Sequence, residues 1–190
     1  PEDVVMGLYD GLAKFKAEHP GFGFVLSPSF RKEVDFYDKE RFKTKKDYFE
    51  NQINLILEMI EKHPELKPHL SEIDTVGDEK EHFRKAHFEQ MKDALRTLQF
   101  KGFTIRSHHG ETWNILRHGL QAVDNAMDIW QIDTLEHGLS LGINPNYYFH
   151  RIFQKVLELN AAHKPLDPDS QEANELEDMH WPEEKIKRNF

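Results

Sequence analysis

The chain has 190 residues, of which 38% are hydrophobic and 31% charged, the make-up of a globular domain with room for a core. It has no cysteine, hence no disulfide framework and no thiolate metal site; any metal must be held by His and carboxylate groups, which excludes the cysteine-bound zinc of cytidine deaminases. A formal net charge of −9 argues against a broad phosphate-binding surface, and no apolar run approaches the roughly 20 residues needed to span a bilayer, so the expectation is a cytoplasmic protein with no membrane partner and nucleic acid a poor first guess.

Read in order, the apolar period switches repeatedly between helix and strand. Pro1 suits a helix start, and Val5, Leu8, Leu12 and Phe15 share one face of a helix expected from Glu2 to Glu18, stopped by His19-Pro20-Gly21. Phe22 to Leu26 is a compact apolar run expected as a strand. The charged segment from Arg31 to Lys46, basic over Arg41 to Lys46, is expected as a loop with some helix, an insertion between regular elements. Tyr48 to Lys62 carries the stripe Ile53, Ile56, Leu57 and Ile60 of an amphipathic helix ending before Pro64, and His69 to Val76 is the next expected strand.

The alternation continues with a helix over Glu81 to Gln99, a strand over Phe103 to Ser107, a helix over Thr112 to Met127 and a strand over Ile129 to Leu135. Asn144-Pro145 forms an N-cap and first helical residue for a helix through about Leu159. Ala161 to Asp178 is rich in Pro, Asp, Glu and Asn and is expected as a second loop or insertion, reaching to about residue 181, before a short amphipathic helix near Pro182 to Phe190. Four strands separated by helices point to an α/β fold with a parallel sheet or a (β/α) barrel.

Three polar motifs stand directly after expected strands: Gly77-Asp78-Glu79, His108-His109-Gly110-Glu111 and Glu136-His137-Gly138. In a parallel α/β sheet the carboxyl ends of the strands share one face, so these groups can converge on one ligand. Each motif also has a plain structural reading. His108 fits a partly buried, satisfied histidine, Glu111 an acid favoured by a helix N-terminus, Gly77 a turn glycine with Asp78 and Glu79 capping the next helix, and His137-Gly138 a turn. Together, order, separation and strand-end placement are more specific than any one of them.

On these residues the chain resembles the adenosine and AMP deaminase family, whose middle section carries a strand ending in Gly-Asp-Glu, then His-Ala-Gly-Glu, then a strand ending in Gly-His-Gly. The counterparts are Ile73 to Glu79, His108 to Glu111 and Thr134 to Gly138; Val4 to Leu12, Phe24 to Leu26 and Arg31 are similar to the preceding helix and strand, so the resemblance covers about Glu2 to Leu159. It implies a metal-dependent (β/α)₈ barrel of which this chain holds family strands three to six, as the middle of a longer enzyme. The implied reaction is hydrolytic removal of the 6-amino group of an adenine nucleoside or nucleotide. Carried over residue by residue, His108 would be a ligand of Zn2+, Glu111 the acid that protonates the purine ring, His137 the group that orients and deprotonates water, and Gly77 a backbone donor to the purine.

Two positions depart from the family pattern: His109 stands for alanine and Glu136 for glycine. If His108 and His137 face the mouth of a barrel, strand alternation sends His109 and Glu136 to the helix layer. The family also uses a His-x-His pair on its first strand and an Asp-Asp pair on its last, and neither pattern occurs in this chain. Four strands cannot close an eight-stranded barrel, so the rest of the barrel is the first expected partner, with a homo-oligomer next. The two insertions are similar in kind to those of large, oligomeric bacterial antiviral adenosine deaminases. Competing readings are a non-catalytic scaffold that has kept the motifs, and another metal-dependent amidohydrolase.

Overall fold

A computed structural model describes residues 2–180 of the chain. Helix α1 (Glu2–Glu18) precedes strand β1 (Ser29–Arg31); α2 (Lys45–Lys62) and a 3₁₀ turn (Pro64–Leu66) precede β2 (Glu72–Val76). Next come α3 (Lys85–Phe100) and β3 (Thr104–His109), then α4 (Leu116–Asn125), prolonged by a π-helical turn (Ala126–Trp130), and β4 (Thr134–His137). Helices α5 (Leu139–Gly142), α6 (Pro145–Ala161) and α7 (Gln171–Asp178) follow. The strands form one sheet in the order β1-β2-β3-β4, with every pairing parallel. A parallel sheet needs a crossover between successive strands, and here each crossover contains a helix, so all four carboxyl ends lie along one edge.

Local chemistry sets the helix limits. At the start of α2 the Thr44 hydroxyl accepts from the Asp47 amide at 3.1 Å while the Asp47 carboxylate accepts from the Thr44 amide at 3.1 Å, a reciprocal cap of the kind whose loss costs about 1 kcal/mol. The helix ends at His63, ahead of Pro64. Its stripe Phe49, Ile53, Ile56 and Met59 is buried against Met91, Leu95 and Leu98 of α3, together with Ile73 and Ile105 from the sheet. Each such side chain contributes roughly 1.5–3 kcal/mol of burial, so this one layer carries the fold.

The two faces of the sheet differ in chemistry. Ile73, Thr75, Ile105, Ser107 and His109 point into the helix layer and are buried. On the other face Arg106 pairs with Glu72 at 3.3 Å and with Glu136 at 3.0 Å, so that one guanidinium bridges β2, β3 and β4. His108 and Asp74 lie on this same polar face.

Several expectations shift. Phe22 to Leu26 forms no strand: Phe24 stacks on His69 with ring centroids 4.1 Å apart and Phe22 meets Phe15 edge-on at 5.0 Å, so aromatic contacts hold the run half-buried while Val25 stays exposed. Gly23 interrupts it, which weakens any strand there. Ile129 and Trp130, expected to open a strand, end the α4 helix, where the Trp130 indole donates to the Phe88 carbonyl at 2.8 Å. Within the expected acidic loop, Ser170 caps α7 and Leu176 packs on Val156 of α6. Residues 32–44 are loop and turns, and helix begins at Lys45. Pro1 and the helix expected near Pro182 to Phe190 lie outside the described residues.

Glu136 requires a correction. It does not face the helix layer but shares the polar face with Arg106, because the register pairs it with His108. His109 does turn inward: it is 1% exposed, lies between Phe88 and Trp130 with ring centroids 5.3 and 5.4 Å away, and shares a hydrogen bond of 2.7 Å with the Ser107 hydroxyl. Burial, with the nearby Lys32 and His108, pushes its pKa well below the ordinary histidine value, so it is a neutral core group.

Candidate active site

His108 is fixed from the neighbouring strand. Its Nδ1 lies 3.0 Å from Oδ1 of Asp74, whose Oδ2 accepts from the Ser29 hydroxyl at 3.3 Å, so one carboxylate ties β1, β2 and β3 together. A neutral imidazole that gives its Nδ1 proton to a carboxylate leaves the Nε2 lone pair free, the arrangement found in metal-ligating and proton-accepting histidines.

His137 reaches the same place by a different route. Its register partner is His109, which points into the core. A residue continuing the pleat at position 137 would therefore face the helices. Instead the backbone turns left-handed, with φ of 67°. The imidazole then lies beside His108, ring centroids 5.0 Å apart and planes at 64°, and its Nε2 is 3.6 Å from Oε2 of Glu111. A non-glycine residue at positive φ costs of order 1–3 kcal/mol, and such strain clusters at functional sites.

The segment bearing Glu111 is held from below. Glu79, 3% exposed, accepts from three successive amides: Gly110 at 2.9 Å, Glu111 at 2.5 Å and Thr112 at 2.6 Å. Glu79 therefore does not cap α3 as the sequence suggested. Lys32, 5% exposed, donates from Nζ to the His108 carbonyl and stands 3.8 Å from Glu79 Oε2. Gly110 has φ of 68°, and a Cβ there would overlap the Ser140 side chain and Val123, so only glycine fits.

Gly77 directly follows β2, the strand next to that of His108, with φ of 116°. The Glu33 carboxylate fills the space a Cβ would take, and it accepts from the Asp78 amide at 3.2 Å. Burial pushes the Glu33 carboxyl up, but the hydrogen bond from Arg31 and the amides of Glu33 and Asp78 outweigh it and bring its pKa down to about 2.

Of the four residues singled out from the sequence, His137 lies beside both His108 and Glu111, and Gly77 directly follows the adjacent strand. Sequence reading missed Asp74 and Lys32, and it named Glu79 as a motif residue and helix cap rather than as the acceptor of the amides after β3. Asp74 left a trace, as a carboxylate between Ile73 and Thr75 in β2, with the parity that faces it away from both. Among the described residues no three His, Asp or Glu side chains form an ion's ligand set. His108 fits one position in a zinc shell by donor type and orientation, and the remaining positions are not filled by the described residues. Comparisons with protein-family models, with curated proteins and with solved structures find no match to this chain.

Proposed function

We propose that this chain carries the middle of a (β/α) barrel and part of the site of a zinc-dependent hydrolase that removes the 6-amino group of an adenine nucleoside or nucleotide. The observation that supports it is the convergence of His108, Glu111 and His137, from the end of β3, the loop beyond it and the end of β4. The open polar face of the sheet, lined by Glu72, Arg106, Glu136 and Asp74, supports the barrel reading, in which that face is the interior.

The chemistry divides between the residues. His108 would supply Nε2 to the metal, with the other ligands coming from strands beyond the described residues. When bound, zinc lowers the pKa of a water toward neutrality. His137 accepts the proton of the attacking water and gives it to the amine as the carbon–nitrogen bond breaks and ammonia leaves, while Glu111 donates a proton to the purine ring nitrogen, which makes the carbon bearing the amine electrophilic, and takes a proton back from the new hydroxyl as the 6-oxo group forms. Gly77 offers backbone hydrogen bonding at the rim.

The test is to measure bound zinc in the full-length protein and follow the ultraviolet change as adenosine, AMP and ATP are offered. Zinc with conversion to the 6-oxo product supports the reading. Zinc without conversion would move it to an amidohydrolase acting on another amide or ester, and the absence of both signals would leave a scaffold.

A further inference from the structure

We propose that Lys32 and Glu79 are positioning residues, a buried ion pair from the ends of β1 and β2 that clamps the backbone of residues 108–112 and sets where His108 and Glu111 point. The catalytic consequence rests on the deaminase reading; the clamp itself does not.

Where β3 ends, the ladder no longer satisfies the backbone, and the amides of Gly110, Glu111 and Thr112 turn the same way. A concavity of successive amides binds an anion. Here both oxygens of Glu79 fill it at 2.5–2.9 Å, and Lys32 supplies the opposite charge at 3.8 Å while donating to the His108 carbonyl. Burial depresses the Lys32 ammonium, and the acids around it, Glu79 first among them, oppose that effect.

Taking two charges out of water is costly, and apolar residues of the same volume would often stabilise the fold as well or better. The pair is instead committed to the backbone of four residues, His108, Gly110, Glu111 and Thr112, two of which carry side chains of the candidate site. A displacement of about 1 Å in such groups can cost on the order of 10²-fold in rate.

The test uses the full-length protein and the variants Glu79→Gln, Lys32→Met and Lys32→Arg. It reads amide hydrogen exchange at Gly110, Glu111 and Thr112 against Ile73 and Ile105 in the sheet, and kcat and KM with adenosine. The clamp requires Glu79→Gln to speed exchange at the three amides at least about tenfold with Ile73 and Ile105 unchanged. It also requires kcat to fall about 10²-fold with little change in KM, and Lys32→Arg to recover more than Lys32→Met. If Glu79→Gln does not fold, Lys32→Met carries the same test: without the ammonium the buried carboxylate loses its counter-charge and its hold on the three amides, whose exchange should quicken. Local exchange change without any wild-type turnover would keep the clamp and remove the deaminase reading. Unchanged exchange at the three amides, uniformly faster exchange through the sheet, or an active wild type whose variants keep full kcat would overturn the positioning role.

Discussion

Nδ1 of His108 on β3 stands 3.0 Å from Oδ1 of Asp74 on β2, so the orientation of the one candidate metal donor is set by a residue on a different strand. Such outer partners fix tautomer and ring plane, and their loss weakens metal binding by about 10–100-fold. Asp74→Ala should reproduce that loss in a competition titration of the full-length protein with a zinc chelator. An affinity equal to that of the wild type would show that Asp74 does not act through His108.

The acid role proposed for Glu111 is separable from metal binding. Glu111→Gln keeps the shape of the side chain and removes the transferable proton, so turnover of adenosine should drop at least about 10²-fold while zinc content stays at the wild-type level. Retained activity would exclude Glu111 as the acid that protonates the purine.

Gly77→Ala is expected to destabilise the fold by roughly 2–4 kcal/mol, since φ of 116° disfavours any L side chain and the Glu33 carboxylate occupies the space of the new methyl. The denaturant midpoint is the readout. A shift under about 0.5 kcal/mol, the size of an ordinary surface change, would mean that Glu33 moves aside without cost.

Glu33 also gives a pH dependence with a definite sign. Its carboxyl titrates at about 2 when folded, against an ordinary 4.5, so the unfolded chain binds the proton first. The stabilisation is fully present above about 4.5 and is lost as pH falls toward about 2. Stability measured across that window should therefore fall less steeply in Glu33→Gln than in the wild type; equal slopes would show that Arg31 and the amides do not hold the charge.

The fold was legible wherever one periodicity acted over a long segment. The stripe of α2 and the pattern of strand, turn and helix around β2 and β3 follow from apolar spacing that no distant contact opposes. Short apolar runs were less decisive. Phe22 to Leu26 and Ile129-Trp130 satisfy a strand pattern, yet aromatic stacking on His69 and the indole bond to Phe88 draw them into other structures. Ser170 ahead of Gln171 was a readable cap for α7, masked by the acidic composition around it.

In the site, the motif residues could be found from their strand-end positions, but their support could not. Lys32 reads as one charge in a charged loop, and only the approach of β1 and β2 to the turn after β3 makes it a buried partner of Glu79. Strict alternation through His137 puts Glu136 on the wrong face, because the left-handed backbone of His137 breaks the pleat.

The most direct measurement is anomalous scattering at the zinc edge from crystals of the full-length protein. A peak about 2.0–2.1 Å from Nε2 of His108, with Glu111 and His137 turned toward the same cavity, is the predicted result. A peak on Nδ1, a peak away from His108, or no peak from a protein loaded with zinc would contradict the account.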